Sequence, residues 1–274
     1  TDAALGKAVV TNPAVPATLR EGLNVESGLN DGICVPILFV FLALASRATV
    51  NESGFQLALV LVAQQIGIGL AVGIGLTAAA GWILKRCAQR NWITETWRQL
   101  PVVALAFVCF AAAQVLGGSG FIASFTGGIL FGALAKEHKH DLLRAAEGIG
   151  DTLSIATWMS FGAAVVGQVI WKFSWPILMY SLLSLTVVRM LPVYLSLTGS
   201  SLKPGSRLFL GWFGPRGLAN VVFAVIVLNH HLSGGQELAL TAACTVILSI
   251  LAHGFSANPL AASLGARGGQ KQDD

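Results

Sequence analysis

The sequence predicts an all-α protein, a polytopic transmembrane helical bundle, and three observations predict it. The composition is too apolar to make a water-facing surface. Its apolar segments are long enough to cross a bilayer. Its basic residues fall almost entirely on one side of the topology those segments define. A soluble domain carries roughly a quarter charged residues. Here charged residues are 11% of 274, hydrophobic residues 54%, and the mean hydropathy is +0.71. Glycine, with 31 residues, suits close helix packing and helix interruption inside a bilayer. The net charge of +4 is scattered between apolar spans, which excludes a nucleic-acid-binding surface.

The elements follow from hydropathy and breakers. About 20 apolar residues cross the ~30 Å hydrocarbon core. A short apolar half-span at 3–10 precedes the stretch Thr11-Asn12-Pro13-Ala14-Val15-Pro16. Full spans are expected at 22–46, 55–84, 99–117, 120–135, 149–171, 175–198, 207–229 and 237–262. Turns carry glycine and proline, as in Gly117-Gly118-Ser119-Gly120, Pro204-Gly205 and Ser233-Gly234-Gly235. No span alternates as a strand would, so a helical bundle remains. Cys34, Cys87, Cys109 and Cys244 lie in or beside apolar segments without metal-like spacing and read as buried thiols. The opening Thr1-Asp2 is no signal peptide, and the chain reads as a piece of a longer protein whose preceding helices are missing.

Alternating linkers fix a direction. One side carries Arg20, Lys85, Arg86, Arg90, Arg98, Lys136, Lys139, Arg144, Lys203, Arg207, Arg267 and Lys271; the other carries only Arg47 and Lys172. Positive charge stays in the cytoplasm, so the C-terminal tail at 263–274 is expected there. A bacterial inner (plasma) membrane is the expected location.

Some charges do not lie in linkers. An ionised side chain at mid-bilayer costs about 2.5–3.5 kcal/mol on insertion scales, so it needs a partner or a watery cavity. The span at 22–46 keeps Glu26, Ser27, Asn30 and Asp31 ahead of an apolar run from Ile33 to Ala45. Ser27 and Asp31 share one helix face, and Glu26 and Asn30 another. Glu26 and Asp31 are separated by about 140° around the helix. One carboxylate can thus meet a structural partner while the other faces a cavity. Carboxylate, amide and hydroxyl oxygens suit hard cations such as Na⁺. A single carboxylate that holds either a cation or a proton supplies the minimal chemistry of exchange.

These residues resemble a family. Glu26-Ser27-Gly28-Leu29-Asn30-Asp31-Gly32 resembles the E-S-x-x-N-D-G signature of the cation:proton antiporter-1 family, which includes NhaP-type Na⁺/H⁺ antiporters. Thr1-Asp2-Ala3 resembles the T-D-A of that family's broken helix. Val188-Arg189 and Gly214-Pro215-Arg216-Gly217 resemble its buried arginine and G-x-R-G turn. The resemblance runs from the first residue to about 260.

The resemblance implies an Na⁺/H⁺ antiporter-like fold with crossed, interrupted helices. It implies that Asp31 carries the ion or the proton in turn. Asp2 and Ser27 would complete the ligands of the transported Na⁺, and the backbone of Thr1 would add an oxygen. Asn30 would steady the crossing of two unwound helices, and Glu26 would pair with Arg189. Arg216 fits a cytoplasmic loop anchor as well as it fits a functional element. Asn30-Asp31 with Arg189 implies electroneutral exchange, one cation per proton, and transport rather than enzymatic catalysis. Na⁺ is the expected cation, with Li⁺ and K⁺ as alternatives, and a role in pH homeostasis follows. No cofactor is expected beyond the transported ions.

The expected organisation is an ion-binding core from 1–46 and 175–262, a linker helix at 55–84, and part of a dimerisation domain at 99–171. The expected partners are membrane lipid and a second copy of the chain. A cation channel, a structural membrane subunit and an intramembrane aspartyl protease using Asp2 and Asp31 are the alternative classes. A channel would spread polar residues over several spans, and a protease has no role for Asn30 and Arg189.

Overall fold

The computed structural model describes residues 2–46, 53–90, 92, 100–135 and 139–269. Among the described residues every regular element is a helix and there is no strand. Four helices are long and apolar enough to cross a membrane: Leu59–Gln89, Ala146–Lys172, Trp175–Ser196 and Gly235–Gly265. Shorter apolar helices cover Ile33–Leu42, Leu100–Val115, Gly120–Leu134 and Leu218–Asn229. Large apolar side chains stand outward, with Val115, Trp171 and Phe255 exposed by 86, 91 and 81%. Water disfavours such a surface, whereas acyl chains solvate it. The protein is a polytopic helical membrane protein.

The chain divides into two compact units, Thr1–Asn30 with Ala156–Asp274, and Asp31–Ile155. The first unit starts with α1 (Ala3–Val10) and the N-terminal part of α2 (Ala17–Ser46). It then takes the end of α6 (Lys139–Phe161), which continues through a π-helical turn at Gly162–Val166, α7 (Gly167–Val169) and a 3-10 turn at Ile170–Lys172. It closes with α8 (Trp175–Leu185), α9 (Val187–Ser196), α10 (Pro204–Trp212), α11 (Leu218–Asn229) and α12 (Gly235–Gly269).

Local chemistry sets the breaks. After α1, the Thr11 hydroxyl donates to the Lys7 carbonyl at 2.7 Å, and the Asn12 side-chain oxygen accepts the Ala14 N–H at 2.9 Å. The Pro16 carbonyl then accepts the first N–H groups of α2 from Leu19 and Arg20. Within this unit α12 packs against α1, α8 and α11, and α10 packs on α9. Val9, Val15, Leu19 and Leu23 form one core with Phe209, Phe213, Ala257 and Ala261. A buried hydroxyl pair, Thr245 to Ser181 at 3.0 Å, ties α12 to α8.

The expected continuous span at 207–229 is not continuous. It is two helices, α10 and α11, separated by a non-helical stretch at 213–217. The cause is Gly214-Pro215-Arg216-Gly217. Pro215 lacks an N–H, its ring clashes with the preceding helical turn, and it pushes Gly214 out of the helical region.

The second unit holds the rest of α2, α3 (Ser53–Gln89), α4 (Leu100–Val115), α5 (Gly120–Leu134) and the start of α6. Here α3 lies against α5 through glycine. A Cβ at Gly73 would run into the Ala123 carbonyl and the Thr126 hydroxyl. The α4–α5 turn uses Gly117 at φ +80°, a left-handed conformation that glycine adopts freely. Ser119 follows, donating its N–H to Gln65 at 3.1 Å and accepting the Ile122 N–H on its side chain. Of the four cysteines, all free, Cys109 and Cys244 are buried and Cys34 and Cys87 half-buried.

Candidate functional site

In the first unit the start of α1 meets the unwound stretch at 213–217. Asp2 precedes α1 in an extended conformation, and its carboxylate accepts the Leu5 N–H at 2.9 Å, an N-cap. The same carboxylate accepts the Leu218 N–H at 2.7 Å, the first of α11. The Asp2 N–H donates to the Pro215 carbonyl at 2.8 Å. One buried carboxylate therefore caps two helices, and both positive helix ends point at it. Gly217 cannot cap α11 itself, having no side chain.

The two glycines of Gly214-Pro215-Arg216-Gly217 have distinct causes. A Cβ on Gly217 would occupy the position of the Asp2 carboxylate, and one on Gly214 would overlap the Arg189 guanidinium. Each bare backbone makes room for one of the two charges.

Beside Asp2 lies a small cavity of about 10 Å³, lined by Asp2, Ser27, Asn24, Gly6, Leu23 and Phe213 among others. That is about the room one water needs. Ser27 is 4% exposed and Asp2 8% exposed. Two N–H groups occupy part of the carboxylate's acceptor capacity, leaving lone pairs for a cation. Ser27 and Asn24, which carry a hydroxyl and an amide, also line the space. Asn24 was not singled out by sequence.

Glu26 and Arg189 form a two-pronged pair, Nη1 to Oε1 at 2.6 Å and Nη2 to Oε2 at 2.7 Å. This fork geometry is the strong form of the carboxylate–guanidinium bond. Asn30 donates its side-chain amide to Glu26 at 3.2 Å. Asn30 thus meets the ion pair on the Glu26 face of α2. The pair joins α2 to α9 near the helix break at Thr186, and through Gly214 it abuts the unwound stretch.

Arg216 is half-buried, and its backbone N–H donates to the Ser249 hydroxyl at 2.7 Å. Ser249 in turn lies 3.1 Å from Nδ1 of His253, whose Nε2 sits 2.8 Å from the Trp212 carbonyl. Sequence alone missed Ser249 and His253. A lone histidine on an apolar helix is usually a satisfied core residue, and the only hint was a serine one turn before it. Thr1 lies outside the described residues, and so does the side chain of Asp31, although its backbone is within α2.

A helix broken at 213–217 whose continuation shares one buried carboxylate with the start of α1 is the kind of arrangement secondary transporters use. The family described as sodium/hydrogen exchanger, transmembrane, matches residues 1–263, and the chain belongs to that family. It is 25% identical over 257 residues to a K(+)/H(+) antiporter NhaP2 from Shewanella sp. (strain ANA-3), covering 93% of this chain and 44% of the relative. An Na(+)/H(+) antiporter from Schizosaccharomyces pombe (strain 972) is 27% identical over 227 residues, covering 77% of this chain and 47% of that one. A K(+)/H(+) antiporter NhaP from Alkalimonas amylolytica is 26% identical over 244 residues, covering 87% and 40%. The chain spans less than half the length of these relatives. No solved structure gives a significant match.

Proposed function

We propose that this chain supplies the ion-binding part of a secondary transporter that exchanges a monovalent cation for protons across a membrane. The observation that carries the reading is the crossing at Asp2, where a buried carboxylate shared by two helix starts lines a small cavity with Ser27. Asp31 is the shared ion and proton carrier in this reading. It follows Ser27 by one helical turn, and it is the remaining carboxylate of the acidic cluster once Glu26 is paired with Arg189. The Thr1 carbonyl adds an oxygen, and Asn30 steadies the ion pair.

Binding of a cation and of a proton exclude one another at Asp31, because both take the same carboxylate. One cation per proton is the stoichiometry that the resemblance of Asn30-Asp31 with Arg189 to the family implies. Relatives named for K⁺ and for Na⁺ leave both cations in the proposal. Basic residues concentrate on the side that holds the C-terminus, which favours a cytoplasmic C-terminus, and the prokaryotic relatives favour a bacterial inner membrane. Residues 99–171 contribute to a homodimer contact in this proposal.

The test is cation-driven proton movement in inside-out vesicles bearing the intact protein, followed by dye quenching with Na⁺, K⁺ and Li⁺ across pH. Exchange with at least one of these cations is expected. Its absence with all three would overturn the reading.

A further inference from the structure

The largely buried stretch at 213–217 has to stay unwound, and a buried backbone group without a partner costs about as much as a lost hydrogen bond. Asp2 holds its far end, at Pro215 and Leu218. The near end is held from α12. His253, 4% exposed, places Nε2 at 2.8 Å from the Trp212 carbonyl, the last of α10. The same carbonyl also accepts the Gly214 N–H at 2.7 Å. Nδ1 lies 2.8 Å from the Ser249 backbone carbonyl and 3.1 Å from the Ser249 hydroxyl, and that hydroxyl accepts the Arg216 N–H at 2.7 Å. Trp212 is fastened a second time, its indole N–H donating to Ser256 at 2.8 Å. The ring of His253 also lies against those of Trp212 and Phe213, with centroids 5.2 and 6.1 Å away.

We propose that His253, acting with Ser249, is a positioning residue of the cation site: it clamps both sides of the break at 213–217 and so fixes where that segment presents Asp2. The proposal rests on the exchange reading above and extends it to residues outside the ligand set. His253 touches no cargo. It bonds the Trp212 carbonyl directly and the Arg216 N–H through Ser249. Between those two anchors are Phe213, which lines the cavity, and Pro215, whose carbonyl receives the Asp2 N–H. Loosening α12 from the segment lets the Asp2 carboxylate shift without removing any oxygen from the site.

The intact transporter carrying His253→Gln, His253→Leu or Ser249→Ala tests this. Gln keeps an N–H donor near the Nε2 position, Leu fills the space without one, and Ser249→Ala deletes a single hydroxyl. Leu and Ala are expected to raise the apparent cation constant about tenfold, close to 1.4 kcal/mol, at a similar maximal rate per folded protein. Gln is expected to stay within about twofold of wild type, since the donor is retained. Hydrogen exchange at 213–221 and 2–6 should quicken in the Leu and Ala variants alone, whether or not wild type transports. Should Leu fail to fold, Ser249→Ala carries the test. Unchanged cation constants with only lower protein yield, or unchanged exchange protection, overturn the proposal. Absence of transport in wild type rejects the exchange reading instead, and the exchange protection then decides the clamp.

Discussion

Asp2 and Leu218 lie 216 positions apart, yet the carboxylate of the first accepts the backbone N–H of the second at 2.7 Å. The same carboxylate starts α1 through Leu5 at 2.9 Å. A group that would only cap one helix in a soluble protein here fastens two helix beginnings to each other.

Asp2→Asn tests that double use. The amide keeps one acceptor oxygen but turns its NH₂ toward one of the two N–H donors, so one cap is lost. A lost cap costs about 1 kcal/mol, too little to unfold the bundle. Cation-driven exchange in vesicles should fall at least about tenfold at near-normal protein levels, more than a cap alone explains. A normal rate would remove Asp2 from the ligand set.

Asp31→Asn should abolish cation-driven proton movement, because the amide can neither take up a proton nor offer a charge at neutral pH. Binding of Na⁺ or K⁺, read as thermal stabilisation in detergent, should vanish together with transport. Retained exchange would reject Asp31 as carrier.

Glu26 and Arg189 should behave as a pair. Removing one partner leaves the other charge unpaired in a half-buried place, which costs less than the ~3–5 kcal/mol of a fully buried pair but still destabilises the fold. Arg189→Ala and Glu26→Ala should each depress the amount of folded protein and its melting temperature. The double variant Glu26→Gln with Arg189→Gln should recover much of that loss, since no lone charge remains. A normal melting temperature in Arg189→Ala, with only a changed cation constant, would reject a structural role.

Gly214→Ala and Gly217→Ala should both lower the melting temperature, with overpacking costs of about 1–3 kcal/mol. They should differ in transport. The Gly217 Cβ displaces Asp2, whereas the Gly214 Cβ displaces the Arg189 guanidinium. Gly217→Ala should therefore lose more exchange per folded molecule. Equal losses would mean that the two glycines serve packing alone.

In the other unit, Gly73→Ala and Gly75→Ala give a paired comparison within α3. A Cβ at Gly73 meets the Ala123 carbonyl and Thr126, but a Cβ at Gly75 meets nothing within 4 Å. The first should lower the melting temperature. The second should leave it unchanged or raise it, alanine being favoured over glycine in a helix by up to about 1 kcal/mol.

Membrane helices were legible because hydropathy and the lopsided basic residues are properties of whole segments. That Glu26 and Arg189 need partners was legible from the cost of a lone charge in an apolar span, but their pairing with each other came from the family resemblance. The interruption at 213–217 was hidden, because its flanks from Leu208 to Val227 read as one apolar run and the four breaker residues barely change the average. The Asp2–Leu218 bond leaves no periodic trace in either segment. Only the resemblance of Thr1-Asp2-Ala3 and Gly214-Pro215-Arg216-Gly217 to family motifs pointed at those two places. His253 and Ser249 gave no charge pattern at all, and their role rests on their contacts with the Trp212 carbonyl and the Arg216 N–H.

The shared cap at Asp2 also limits how such a protein can be retuned. In the proposed site, where Asp2 would both weld two rods and face the passenger, it cannot be swapped to suit a larger or smaller ion without loosening the weld. Attempts to shift preference between potassium and sodium are better aimed at Ser27 and Asn24, which border the same void without fastening α1 to α11.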